Sequence, residues 1–247
     1  MKTAIVTGSG RGLGAATAKL LAERGTNVVI NDVDEKAAQE TAKTIGAATQ
    51  VKTLASKHDI SVFEQARALV AETKKTFGSV DILINNAGII RDSLLLKMTE
   101  KDWDDVIRIN LKGVFNMSQA AAEAMKETKW GRIVNLASVA WQGNVGQVNY
   151  SASKAGVVGM TRTMALELSR YGVTVNAIAP GLIDSDMTQK IPAEVKERMI
   201  KNIPAGRMGA PGEVAALIGF LTSDDAAYVT GQCIHIDGGL TTGLRLG

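Results

Sequence analysis

Seven short runs rich in β-branched and aliphatic residues recur along this chain, and a longer stretch of helical periodicity follows nearly every one. The runs fall at residues 3–7, 27–31, 50–54, 82–85, 132–137, 174–179 and 233–237. Those near the middle are continuously apolar, as parallel strands covered on both faces must be. The helical patterns fall at 15–24, 35–45, 62–77, 99–125, 150–171 and 211–221, and Gly25, Gly78 and Gly172 stand where three of them must stop. The pattern at 99–125 predicts two consecutive pieces, with Thr99 as N-cap and early acidic residues from Glu100 to Asp105. Pro211 suits a first helical turn. Such alternation folds as an α/β domain: a Rossmann-type, doubly wound parallel sheet of about seven strands with helices on both faces. No composition shift divides residues 1–247, so one domain is expected. Residues 181–209 break the alternation. They open at Pro180-Gly181 and contain Pro192 and Pro204, which predicts a short helical insertion over the sheet's carboxyl edge, a lid with residues 189–201 as its solvated face.

Composition narrows the classes of function. Hydrophobic residues make up 45% and charged residues 21%, values of an ordinary globular protein. A net charge of +3 with no dense basic block argues against a nucleic-acid or membrane partner. The longest late apolar run, 214–221, is far short of the ~18 residues of a membrane span, and the N-terminal run is too short for a signal peptide. Cys233 is the sole cysteine, which forbids an intrachain disulfide and a thiolate metal site and suits a reducing, cytoplasmic setting. His58 and His235 lack the partners of a metal site; both are expected to be structural, and no metal is expected. Asn116-Met117-Ser118 matches a glycosylation acceptor by chance, and the nine methionines are scattered as packing residues.

The first strand runs into Thr7-Gly8-Ser9-Gly10-Arg11-Gly12-Leu13-Gly14 and then a helix. Glycines let the backbone approach a pyrophosphate closely, and a helix N-terminus offers free N–H groups and a positive dipole end. The position between strand and helix favours dinucleotide binding over a merely tight turn. The second strand ends at Asn31-Asp32. A carboxylate there accepts from both ribose hydroxyls and repels a 2′-phosphate, which favours NAD(H); Arg11 points the other way, toward NADP(H). A capping role for Asp32 or Asp34 and a solvated Arg11 are the plain alternatives. Asp59, with Ile60 beside it, is placed to reach the adenine end, though a helix N-cap accounts for Asp59 equally well.

Tyr150 and Lys154 lie four apart at the start of a helical pattern and so share one face. An ammonium one turn away favours the phenolate and lowers a tyrosine pKa from about 10, which would tune Tyr150 as a general acid/base. Alone, the pair is unremarkable on an exposed helix.

Together the residues resemble the short-chain dehydrogenase/reductase family. The resemblance rests on Thr7–Gly14, Asn85-Asn86-Ala87-Gly88 after the fourth strand, Ser138 after the fifth, Tyr150-x-x-x-Lys154 and Pro180-Gly181 after the sixth, and it spans essentially the whole chain. Within the family the chain is most similar to 3-oxoacyl-(acyl carrier protein) reductases and acetoacetyl-CoA reductases, on residues 85–110 and 229–240. The resemblance implies a catalytic tetrad. Tyr150 would protonate the carbonyl oxygen, and Ser138 would hold that oxygen. Lys154 would bind the nicotinamide ribose and lower the tyrosine pKa. Asn110 would hold a water that feeds Lys154, or else brace a helix kink. Asn86-Ala87-Gly88 would lie beside the adenosine ribose, Pro180, Gly181 and Ile183 at the nicotinamide amide, and Thr188 at the phosphates. A homotetramer is implied as well, with the apolar tail 243–247 as a subunit contact.

The chain also departs from that pattern. Ser138 and Tyr150 are twelve apart, one residue fewer than expected, and Trp141-Gln142 fills the shortened loop where small residues are usual. Docking of an acidic acyl carrier protein needs a basic rim; Lys129, Arg132 and Arg170 are the candidates, and Tyr171 stands where an arginine is expected. The expected function is hydride transfer between a nicotinamide cofactor and a carbonyl or secondary alcohol, with a 3-oxoacyl thioester as substrate. The rivals are a broad ketone reductase or secondary alcohol dehydrogenase, which Trp141 and Asp32 favour, and a nucleotide-binding regulator without turnover, which has no use for a proton donor.

Overall fold

The computed structural model describes residues 1–189 and 191–243. The tail expected to make a subunit contact therefore lies, apart from Gly243, outside the described residues. In chain order the elements are β1 (Thr3–Thr7), α1 (Gly12–Glu23), β2 (Asn27–Asn31), α2 (Glu35–Ala48), β3 (Thr53–Ser56), α3 (Phe63–Phe77) and β4 (Ile82–Asn85). There follow α4 (Glu100–Ile107), α5 (Gly113–Thr128), β5 (Gly131–Leu136), α6 (Val148–Leu168) and β6 (Val173–Pro180). Short α7 (Asp186–Gln189), α8 (Ala193–Lys201), α9 (Pro211–Leu221) and β7 (Cys233–Ile236) complete the chain.

The seven strands form one parallel sheet in the order β3-β2-β1-β4-β5-β6-β7. The order reverses between β1 and β4, and this switch point opens a crevice at the strands' carboxyl ends. On one face, α1, α2 and α9 bury Leu21, Ile45 and Ile218 against Val6, Ile30 and Ile84. On the other, α3 and α5 bury Leu69 and Met117 against Ile5, Leu83 and Ile133. Central strands with both faces covered must be apolar throughout, which is why their limits were legible.

Two elements differ from expectation. The third strand is shifted toward the C-terminus, to Thr53–Ser56 instead of 50–54. It is an edge strand, mostly half-buried, and its register comes from pairing Val28 with Thr53 and Asn31 with Ser56 rather than from an apolar run. The expected break within 99–125 is a π-helical turn, Arg108–Lys112, that joins α4 and α5 without a loop.

Residues 181–209 leave β6 and return to α9. Their base is closed by a backbone bridge between Ile183 and Gly209, and Arg207 holds the Glu213 carboxylate in α9 through two bonds of 2.8 and 2.7 Å. Within this segment α8 buries none of its residues. Among the described residues no helix is long and apolar enough to cross a membrane, and no group of three His, Cys, Asp or Glu is placed to hold a metal.

Candidate active site

The glycine-rich turn lies between β1 and α1. Gly8 and Gly12 have φ of +60° and +57°, a conformation that penalises any side chain. A Cβ on Gly8 would stand 2.7 Å from the Ala87 Cα, and one on Gly14 would stand 2.4 Å from the Gly8 carbonyl oxygen. Gly12 faces open space. Arg11 provides no side-chain cap for α1, so the first turn's N–H groups keep the unpaired character of any helix start. Ser9 turns inward and donates to the Val6 carbonyl at 2.6 Å, while Leu13 packs on the core. The turn thus offers backbone, not side chains, to an anion.

Asn86 ties this turn to β4. Its amide donates to the carbonyls of Thr7 and Gly8 at 2.9 and 2.8 Å, and the Asn86 and Ala87 N–H groups both donate to the Thr7 hydroxyl at 3.1 Å. Asp32, at the end of β2, accepts from the N–H of Gly10 and of Asp34, each at 3.0 Å. Arg11 leans to Asp34 at 3.3 Å. Asp59 does not cap α3, whose N-cap is Val62. Its carboxylate instead accepts from the Ser61 N–H at 2.9 Å and faces Arg108 of the π-turn at 3.6 Å. Ile60 is buried under Gly113, and its carbonyl accepts from Asn116 at 2.9 Å.

The four tetrad residues come from three elements. Ser138 follows β5 and opens a short 3-10 turn, Val139–Gln142, where its hydroxyl accepts from the Ala140 N–H at 3.2 Å. Tyr150 and Lys154 share one face of α6, with the lysine Nζ 5.5 Å from the tyrosine ring centre. Lys154 is buried and donates to the Leu136 carbonyl at the end of β5. Asn110 is fully buried in the π-turn, where its amide exchanges two bonds with the Ile89 backbone, 2.8 and 2.9 Å long. A Cβ on Gly88 would lie 3.3 Å from Asn110 Oδ1 and 3.7 Å from Lys154 Nζ, so a glycine there keeps both groups beside one small space.

Burial governs the charges. It lowers Lys154 from 10.5 to about 8. Burial also pushes the Tyr150 phenol up; a hydrogen bond with Ser138 offsets part of this, and the Asp92 charge adds to the rise. The lowering by Lys154 expected from helical spacing is not among the causes, and Tyr150 stays a protonated phenol suited to giving a proton away.

Pro180 ends β6 beside Ile236, and a Cβ on Gly181 would lie 2.8 Å from Asp237. Ile183 is buried in the core. The Thr188 hydroxyl donates to the Ile183 carbonyl at 2.7 Å and accepts from the Ser185 N–H at 2.9 Å, which folds this segment onto itself. One expected rim residue is withdrawn: Arg132 is buried at the start of β5 and faces Asp224 at 3.5 Å.

Sequence reasoning gave no role to Asn149 or Asn85. Asn149 is buried, donates to the carbonyls of Arg91 and Asp102 at 3.0 and 3.1 Å, and accepts from the Tyr150 N–H at 2.7 Å, which fixes the start of α6. Asn85 donates to Ser118 and Asn135 at 3.0 and 2.8 Å, and Asn135 donates to Thr161 at 2.9 Å, a polar chain that locks the ends of β4 and β5. For Asn85 the available signal was a polar residue ending the apolar run of β4.

This fold and site define an NAD(P)-dependent oxidoreductase, and the chain belongs to the short-chain dehydrogenase/reductase family. Residues 8–241 match the member of that family described as enoyl-(acyl carrier protein) reductase. The chain is similar to proteins named 3-oxoacyl-(acyl-carrier-protein) reductase FabG. It is 46% identical to the one from Staphylococcus aureus (strain Mu50) over 240 residues, which cover 97% of this chain and 98% of the relative. It is 44% identical to that of Thermotoga maritima over 245 residues, with 97% of each chain covered. The corresponding figure for Vibrio cholerae is 43% over 240 residues, again with 97% of each covered.

Proposed function

We propose that this chain reduces a 3-oxoacyl thioester to the 3-hydroxyacyl thioester. The observation that carries the reading is the convergence of Ser138, at the carboxyl end of β5, with Tyr150 and buried Lys154, which share one face of α6. The relatives' printed name supplies the substrate class. Gly8, Gly12 and Gly14 and the start of α1 fit a pyrophosphate, and Asp32 fits the adenosine ribose. The neighbourhood of Gly88 and Lys154 fits the second ribose, Pro180 and Gly181 fit the nicotinamide end, and Asp59 fits the adenine side. The bound nicotinamide supplies the hydride.

The residues' own chemistry is a proton transfer. Ser138 holds the ketone oxygen next to Tyr150 Oη. As the carbonyl carbon accepts hydride, the phenolic O–H breaks and its proton forms the new hydroxyl. The Lys154 ammonium steadies the phenolate until a proton returns from solvent, and Asn110 orients the water that relays it. NAD(H) is the proposed cofactor; support comes from the Asp32 carboxylate at the end of β2, beside the Gly10 N–H, which suits a ribose diol, and from Arg11, which is engaged by Asp34.

A cytoplasmic homotetramer accompanies this reading, supported by exposed Leu95, Leu96, Phe115 and Leu166. Lys129 and Arg170 remain exposed for an acidic carrier protein, but they flank the amino ends of β5 and β6, opposite Ser138. Carrier docking through them therefore requires a second copy of the chain. A monomer on sedimentation would overturn the assembly.

Initial rates with acetoacetyl-CoA, with NADH and NADPH in parallel, test the function. Faster turnover with NADH is expected. Preference for NADPH would overturn the Asp32 argument, and no rate with either would return the assignment to small ketones, the substrates that bulky Trp141 favours.

A further inference from the structure

The loop between Ser138 and Tyr150 is one residue short for its resemblance and carries a tryptophan where small residues are usual. A shortened loop has less freedom to place the hydroxyl at its head, so what holds it matters. Trp141 lies on the 3-10 turn that Ser138 opens, and its N–H donates to the Ser138 carbonyl at 3.0 Å. Its ring packs against the cluster of Ala137, Val157, Ala177 and Ala179, together with Cys233. The indole Nε1–H donates to His235 Nε2 at 3.3 Å, with the ring centres 6.2 Å apart and tilted by 38°. His235 belongs to β7 and pairs with Ala179 of β6. The contact therefore starts from the end of β5, passes over β6 and ends on the sheet's edge strand.

We infer that Trp141 and His235 form a strut that positions Ser138, with the histidine acting through the tryptophan. The inference rests on the proposed role of Ser138. The donor–acceptor sense requires the His235 ring to carry its proton on Nδ1, leaving the Nε2 lone pair for the indole. Neither residue touches the reacting atoms. Their contribution is angular: they stop the Ser138 turn from rocking away from Tyr150, and such misplacement lowers turnover more than binding. Trp141 also stands where the Ser138 turn meets β6, whose end carries Pro180 and Gly181, so the strut bounds that side of the cleft.

Trp141→Phe keeps a six-membered ring and removes the donor with the pyrrole half of the indole; His235→Ala removes the acceptor together with its ring. Each is expected to lower kcat for acetoacetyl-CoA by about tenfold, with KM and the cofactor Kd nearly unchanged. The double variant should be no slower than either single one, because both cut the same bond. His235→Gln, which keeps an acceptor, should recover most of the rate. Additive losses, a change confined to KM, or a kcat within about twofold of the parent would overturn the strut. The indole N–H resonance of Trp141 gives a readout without turnover. It should move in His235→Ala, and an unmoved resonance overturns the inference whatever the rates. If the parent protein leaves acetoacetyl-CoA unreduced, the thioester reading fails, and this resonance alone decides for or against the strut.

Discussion

The two ends of the sheet are built on opposite principles. At the amino end, charge meets its partner within the chain. Trp130 lies between Lys2 and Arg132, 3.4 and 4.3 Å from its ring centre, and Asp224 gathers Lys2, Arg132 and the indole N–H within 3.5 Å. Asp81 accepts from the Thr3 N–H at 2.7 Å and from Ser79 at 2.6 Å. At the carboxyl end, the buried ammonium of Lys154 has a backbone carbonyl as its acceptor and no carboxylate bonded to it among the described residues, the start of α1 lacks a side-chain cap, and glycines keep the surface bare. Stability is concentrated where interactions close on themselves, and binding capacity where they are left open. A buried cation without a counter-ion costs stability, and a protein keeps one where a ligand needs it.

That division can be broken from either side. Tyr150→Phe should give the largest effect, a loss of about 10³-fold in turnover with cofactor binding and thermal midpoint unchanged. A loss of binding in place of turnover would place the tyrosine in recognition rather than proton transfer. Trp130→Ala should do the reverse. Removing a ring gripped by two cations should cost about 2–4 kcal/mol in denaturant unfolding, while kcat at saturating cofactor holds. A fall in kcat would show the two ends to be coupled.

Lys154→Met sharpens the comparison through pH. The folded lysine sits at about 8 and the ordinary group at 10.5, so between those values the unfolded chain binds the additional proton. The stability of the parent protein should therefore rise relative to the variant as pH increases across that window, and unfolding curves from pH 7 to 10.5 would detect it. A parallel course would mean that the lysine is not held in a desolvated state. The smallest effect belongs to Glu213, whose carboxyl is held down to about 2, chiefly by the Arg207 hydrogen bonds and then by the Ala210 N–H. Its contribution is complete above 4.5 and is lost as pH falls toward 2. Glu213→Gln should lower the melting temperature slightly at pH 6 and not at all near pH 2.

The sequence was most informative where burial was complete. β1, β2 and β4 lie where the apolar runs placed them, because both faces of each are covered. The convergence of the candidate site's groups was readable because they follow strand ends, where chain direction alone brings Gly8, Asp32, Asn86, Ser138 and Gly181 to one edge. What stayed hidden depends on distant partners. β3 takes its limits from β2, and Arg132 is held inward by the carbonyls of Gly131, Gly172 and Ser223, the last from 91 residues away. Asn149 reads as an ordinary polar residue until Arg91 and Asp102 bring their carbonyls to it.

The π-turn at Arg108–Lys112 carries a consequence of phase. A regular helix turns through about 100° per residue, and a π-turn accommodates one residue more than its neighbours do. The extra residue is absorbed in one wide turn, so α5 continues the facing of α4 and the two run as one rod. Val106 of α4 and Met117, Ala121 and Met125 of α5 are all buried. Deleting a single residue from this turn would yield a more regular helix with both stripes still facing inward. It would remove the wide turn that carries the Asn110 amide to the Ile89 backbone, so the cost of the deletion would fall on the candidate site and not on the core.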